Sequence, residues 1–155
     1  MHISIRSAFT IGYNAAIQAK EAAREKLPQT IIEVLDSRTS TVGTLLIALE
    51  AARTARQGKG LDEVIEIANN RVWQINFFSM PASPFCFDKG GFLREVQPWV
   101  KAESVSSFRA ILECDASISG TLFKPVARAK TKSQIAEKML DIAKARTGGK
   151  NCTVL

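Results

Sequence analysis

Two kinds of apolar spacing alternate along the first half of this chain, and that alternation constrains the fold most. Alanine-rich sequence from Gly12 to about residue 27 has strong helix propensity, and Pro28 stops it. Thr30, Ile31, Ile32, Val34 and Leu35 then form a short β-branched run ended by Asp36, the pattern of a buried strand. Helical spacing returns with Val42, Leu45, Leu46 and Leu49 at i, i+3, i+4 and i+7, the spacing of a core-facing stripe. Ser40 or Thr41 stands near its cap, and Gly58 and Gly60 end it. Leu61, Val64, Ile65, Ala68 and Val72 repeat the spacing, with Asp62 and Glu63 at the positive end of that helix. Ile75, Asn76, Phe77 and Phe78 read as the next strand. Helices alternating with short apolar strands predict an α/β architecture.

The second half is more broken. Pro81 and Pro84 precede Phe85, Phe87 and the pair Gly90-Gly91, which read as a short helix and its end. Residues 109–114 and 119–123 read as two strands around a polar turn at residues 115–117. Thr131 and Gln134 have capping-box spacing and open a helix through Ala145, which Gly148-Gly149 close. Residues 152–155 begin another strand. A chain that starts a few residues before its first turn and stops within a strand is expected to be a piece of a larger fold.

Composition narrows the function classes. The 155 residues are 46% apolar and 23% charged, values of a globular domain large enough for a sizeable core. The longest apolar run is far short of the ~20 residues of a membrane span, and no signal peptide is evident. A cytoplasmic setting without membrane insertion is the expectation. The net charge is +6, but Lys20, Glu21, Arg24, Glu25 and Lys26 interleave as on a solvated helix face. No basic run alternates with aromatics, which argues against nucleic acid. Cys86, Cys114 and Cys152 are odd in number and lack metal-ligand spacing, and His2 is the single histidine. A Cys/His zinc site and a histidine-based triad are disfavoured, and buried thiols are expected.

The chemistry-bearing segment is residues 5–16, where Arg6, Ser7 and Thr10 precede the first helix. Free backbone N–H groups and side-chain hydroxyls at a helix start make a seat for a carboxylate or phosphate. Ser7 and Thr10 are the candidate ligand contacts; the alternative is that one of them caps the helix. Arg6 can supply charge, but a surface arginine is the expected role. Asp36-Ser37 sits at a strand's C-terminal edge, where α/β folds bind ligands. It reads either as an acid/base and nucleophile pair or, preferably, as an Asx or Ser turn. Gly90-Gly91 lacks the lysine and spacing of a phosphate loop. Phe77, Phe78, Phe85, Phe87, Phe92 and Trp99 line an apolar tunnel or fill a core, and sequence does not separate the two.

Residues 5–16, followed by Val34-Leu35-Asp36-Ser37-Arg38, resemble the DegV family of bacterial fatty-acid-binding proteins, whose Ser-Ser-x-Leu-Ser-Gly-Thr-Tyr segment precedes a Val-x-Asp-Ser strand end. Aligned on Tyr13-Asn14-Ala15-Ala16, Ser7 and Thr10 fall on family serines. Residues 51–65, Asp88-Lys89-Gly90-Gly91, residues 108–112 and residues 126–131 resemble further family elements. Arg6, Phe92 and Ala110 depart from the pattern. The resemblance implies a DegV-like α/β fold of two domains, with residues 1–60 ending the first and 61–155 forming part of the second. It implies a long-chain fatty acid as bound ligand, its carboxylate at Ser7 and Thr10 and its tail in the apolar middle. It further implies a carrier role for a partner fatty acid kinase, with no cofactor, no metal and no catalysis. Family segments that complete the carboxylate clamp fall before residue 1 and after residue 155. The competing expectations are a small α/β enzyme on an anionic substrate through Asp36 and Ser37, and a piece that needs its missing strands or self-associates as a homo-oligomer.

Overall fold

The computed structural model describes residues 1–81, 109–114 and 123–150. The chain divides into two compact units, Met1–Ile75 and Asn76–Leu155.

The first unit begins with strand β1 (His2–Ser4), helix α1 (Gly12–Lys26) and strand β2 (Val34–Asp36). The strands pair in parallel with Ile3 opposite Leu35 and Ser4 opposite Asp36, so α1 is the crossover of a βαβ unit. α1 has no buried residue and stands on its alanine-rich propensity. Arg24 and Lys26 suit its negative end, the Leu27 N–H closes on the Ala23 carbonyl at 2.8 Å, and Pro28 prevents continuation. β2 starts later than the β-branched run suggests. A ladder lasts only as long as its partner, and β1 spans 3 residues; Ile31 is left 73% exposed.

Helices α2 (Thr41–Arg56) and α3 (Leu61–Val72) complete this unit. The core joins Ile47 and Ala51 of α2 to Val64, Ala68 and Val72 of α3, with Ile3, Leu35 and Ile75 packed against them. α3 buries Val64, Ala68 and Val72 of the stripe its spacing predicts, with Leu61 and Ile65 half-buried. α2 does not bury its own predicted stripe. Its buried residues are Gly43, Ile47, Ala51 and Thr54, while Val42, Leu45 and Leu49 lie outside at 40%, 48% and 39% exposure. The reason is size at the contact: a Cβ on Gly43 would overlap Thr39 Oγ1 and meet Ile75 Cγ2 at 3.1 Å. The face bearing Gly43 and Ala51 approaches closely, and the leucine face cannot.

The second unit is antiparallel. Strands β3 (Phe77–Ser79), β4 (Arg109–Cys114) and β5 (Lys124–Ala129) lie in the order β3-β4-β5. Residues 126–131, which resemble a family element, thus begin inside a strand. Pro125 is tolerated there because β5 is an edge strand among the described residues and the register shifts opposite it, between Ile111 and Leu112. Helix α4 (Lys132–Thr147) packs Ile135 and Met139 against Ile111, Val126, Ala127 and Ala129. Its N-cap works as its spacing predicts: Thr131 Oγ1 accepts from the Gln134 N–H at 3.2 Å, and Gln134 Oε1 accepts from the Lys130 N–H at 2.9 Å. Gly148 ends it at φ 60°, a left-handed conformation suited to glycine. Phe123 is buried and its ring tilts against Phe77, centroids 6.3 Å apart. Cys114 is a buried thiol on β4. The helix expected at Phe85–Gly91, the turn at residues 115–117 and the strand at residues 152–155 lie outside the described residues.

Candidate functional site

The C-terminal ends of β1 and β2 open into two loops, and hydrogen bonds knit the loops together. The Ser37 N–H donates to the Ser4 carbonyl at 3.0 Å, and the Arg6 N–H donates to the Thr39 carbonyl at 2.8 Å. Asp36 adds the link that shapes the turn. Its Oδ1 accepts from the Ser7 N–H at 3.2 Å and from the Arg38 N–H at 2.9 Å. This is the Asx-type turn the sequence favours, extended across the chain to a residue 29 positions away.

Ser7 and Thr10 both lie exposed on this turn. The Ser7 hydroxyl makes no hydrogen bond among the described residues; only its backbone is tied. Thr10 Oγ1 accepts from the Gly12 N–H at 2.9 Å, satisfying one of the first orphan donors of α1, and its own O–H proton is uncommitted among the described residues. Ile11 occupies the N-cap position without a side-chain bond. The structure thus gives Thr10 the capping duty and leaves Ser7 without one.

Arg6 corrects the sequence reading. It is 4% exposed rather than a surface side chain, with its guanidinium 5.9 Å from the centre of the Phe9 ring. Strand alternation explains this: Arg6 continues the side of β1 that carries Ser4, which is also buried. The signal was present in the His2-Ile3-Ser4-Ile5-Arg6 alternation, masked by the usual exposure of arginine.

Ser37 is fully buried, and its hydroxyl is committed. It shares a 3.0 Å hydrogen bond with Thr44 Oγ1 and lies 3.3 Å from the Thr39 carbonyl. A nucleophile needs access and a base, and Ser37 has neither solvent nor a histidine within this unit's loops. Thr39, 2% exposed, was not singled out by sequence; its Oγ1 has no hydrogen-bond partner among the described residues. Flanking it, Arg38 and Thr41 hold φ of 53° and 42°. Such conformations cost about 1–3 kcal/mol each in non-glycine residues and collect where loops are over-determined.

Beside the site, a concavity of about 360 Å³ runs along β2 between Tyr13 of α1 and Ile65, Asn69 and Trp73. Arg38 covers its rim with its guanidinium 4.7 Å above the Trp73 ring. Neither Ser7 nor Thr10 lines it. Among the described residues no group of three acidic, histidine or cysteine side chains could hold a metal ion. No described helix is long and apolar enough to cross a membrane. Phe85, Phe87, Phe92 and Trp99, expected around an acyl tail, lie outside the described residues.

A family model described as "Uncharacterised protein, DegV family" matches residues 1–155. The chain belongs to the DegV family. A DegV domain-containing protein of Clostridium acetobutylicum is 34% identical over 89 residues, which are 57% of this chain and 31% of that protein. A DegV-family crystal structure from Ruminococcus gnavus with vaccenic acid superposes with a TM-score of 0.80 at 22% identity. The match covers 92% of this chain and 49% of that one. The Streptococcus pneumoniae Fatty Acid Kinase (Fak) B3 protein loaded with linoleic acid gives a TM-score of 0.72 at 23% identity, covering 91% and 50%. The chain therefore spans about half the length of the DegV structures it matches.

Proposed function

We propose that this chain is part of a fatty-acid carrier: it holds a long-chain fatty acid by the carboxylate at the Ser7–Thr10 turn and carries out no chemistry of its own. The observation that carries the reading is Ser7, exposed, backbone-pinned by Asp36 and uncommitted at its hydroxyl. A hydroxyl held in place before the ligand arrives loses little freedom on binding, and a hydrogen bond to a carboxylate is charge-assisted. The uncommitted Thr10 proton and the positive end of α1 act on the same anion. DegV structures bearing vaccenic and linoleic acid support the ligand class, and the Streptococcus pneumoniae protein's name supports a kinase as the partner that receives the acyl chain. The reading places the carrier in the cytoplasm, with the fatty acid as its bound group and no other cofactor.

The test is to purify the chain from bacteria, extract it with organic solvent and identify the lipid by mass spectrometry, then titrate delipidated protein with vaccenic acid. Ser7→Ala should weaken vaccenic acid binding about tenfold or more, the worth of a hydrogen bond to a charged group, while stability shifts by less than about 0.5 kcal/mol. Failure to recover any fatty acid, together with no binding on titration, sinks the carrier reading.

A further inference from the structure

We infer that Arg6 sets the headgroup preference of the Ser7–Thr10 turn, favouring an ionised carboxylate over a neutral headgroup on the same acyl chain, a role that rests on the carrier reading of that turn. Both backbone groups of Arg6 are fixed. Its N–H donates to the Thr39 carbonyl at 2.8 Å, and its carbonyl accepts from the Phe9 N–H at 2.9 Å. The second bond closes a tight turn from Arg6 to Phe9, with Ser7 and Ala8 at its tip. The Arg6 side chain is 4% exposed, and its guanidinium lies 5.9 Å from the centre of the Phe9 ring, at the other end of the same turn. Ser7 and Thr10 stand on the exposed side. A guanidinium keeps its proton at any pH a folded protein survives. A permanent charge is thus held on the buried side of the turn that presents the two hydroxyls.

The turn needs that charge because of Asp36. The carboxylate that pins the Ser7 N–H at 3.2 Å has the same sign as a fatty-acid headgroup taken up by the Ser7 hydroxyl. Like charges so close disfavour each other, and hydroxyls alone supply no opposing charge. The positive end of α1 contributes only about half an elementary charge. Arg38, the other cation of these loops, turns its guanidinium to Trp73 at 4.7 Å, beside the concavity that neither Ser7 nor Thr10 lines. Arg6 is the arginine next to Ser7 in the chain and in the turn. Its field crosses protein rather than water, where charges are screened less. A carboxylate gains from that field and an alcohol of equal length does not. Arg6 also departs from the family pattern, so the preference belongs to this chain.

The experiment compares vaccenic acid with vaccenyl alcohol, which keeps the acyl chain and replaces the carboxylate by a neutral hydroxymethyl group. Both are titrated into the delipidated 155-residue chain and into Arg6→Lys, Arg6→Met and Arg6→Gln. The parent should prefer the acid by at least about thirtyfold. Arg6→Met and Arg6→Gln should lower that preference at least about tenfold, and Arg6→Lys, which keeps the charge, by less than about threefold. A merely structural arginine would weaken both lipids alike and leave the ratio where it stood. An unchanged ratio in both neutral variants overturns the role of Arg6, as does an equal loss in Arg6→Lys or a parent that binds acid and alcohol equally. Failure of both neutral variants to fold, read by circular dichroism, marks Arg6 as structural and overturns it too. A parent that binds neither lipid instead sinks the carrier reading, and this role with it.

Discussion

The two units bury polar groups for different ends. In the first, Ser4, Arg6, Ser37 and Thr39 gather at the ends of two parallel strands, in loops that satisfy one another through backbone bonds. In the second, Glu113 is the buried charge among the described residues, 4% exposed on β4, and it serves a different role. Lys124 of β5 reaches it at 3.1 Å and Arg146 of α4 at 2.8 Å. Ile135 is the one buried residue among those described in α4 and lies in its first turn, so the Arg146 contact anchors the other end of that helix. One unit spends its polar residues on shaping an exposed turn, the other on fastening a helix.

That contrast is open to direct attack. Replacing both Lys124 and Arg146 with alanine strands the Glu113 carboxylate without its cations. Loss of a buried charge's partners typically costs about 3–5 kcal/mol. Hydrogen exchange should rise in β4, β5 and α4 while the first unit stays protected; adding Glu113→Gln should recover most of the loss. A triple variant as unstable as the double would show that packing, not charge, fastens α4.

The next effect belongs to the first unit. Gly43→Ala places a methyl against Thr39 Oγ1 and Ile75, and overpacking of this kind costs about 1–3 kcal/mol. Urea denaturation should show the loss, and hydrogen exchange should place it in α2 and the segments that carry Thr39 and Ile75. Stability equal to the parent would mean that the contact of α2 with Thr39 and Ile75 has slack that this geometry does not show.

The smallest effect has the opposite sign. Thr39→Val removes a buried hydroxyl that has no partner among the described residues and keeps its shape. Stability should stay level or rise by about 1 kcal/mol in thermal or urea melts. A clear destabilisation would mean that the hydroxyl has a partner in solution.

Much of this was legible in the chain. The alanine-rich run and Pro28 mark α1, and the Thr131 and Gln134 spacing marks the cap of α4, because both signals are local. The rotation of α2 was not legible. Its sequence offers two apolar faces, and which one turns inward depends on how closely Gly43 lets Thr39 and Ile75 approach and on how Ile47 and Ala51 pack against α3. β5 was hidden by Pro125 and by the exposed charge of Arg128, features that suit an edge strand but blur alternation. At the site, residue types named Ser7 and Thr10 as ligand contacts, Ser7 first, without showing which of the two caps the helix. Geometry separates them by showing which hydroxyl the helix already uses.

The bonds around Asp36 have one more consequence. The β1–β2 ladder pairs His2, Ile3 and Ser4 with Val34, Leu35 and Asp36, too few steps to resist sliding by themselves. A slip of one position would send Ile3 to the side of Ser4 and Arg6. What holds the strands in step lies past the ladder's end, where Asp36 grips Ser7, Ser37 grips Ser4 and Arg6 grips Thr39. The loops keep the register, so a ligand that loosened them would loosen the sheet.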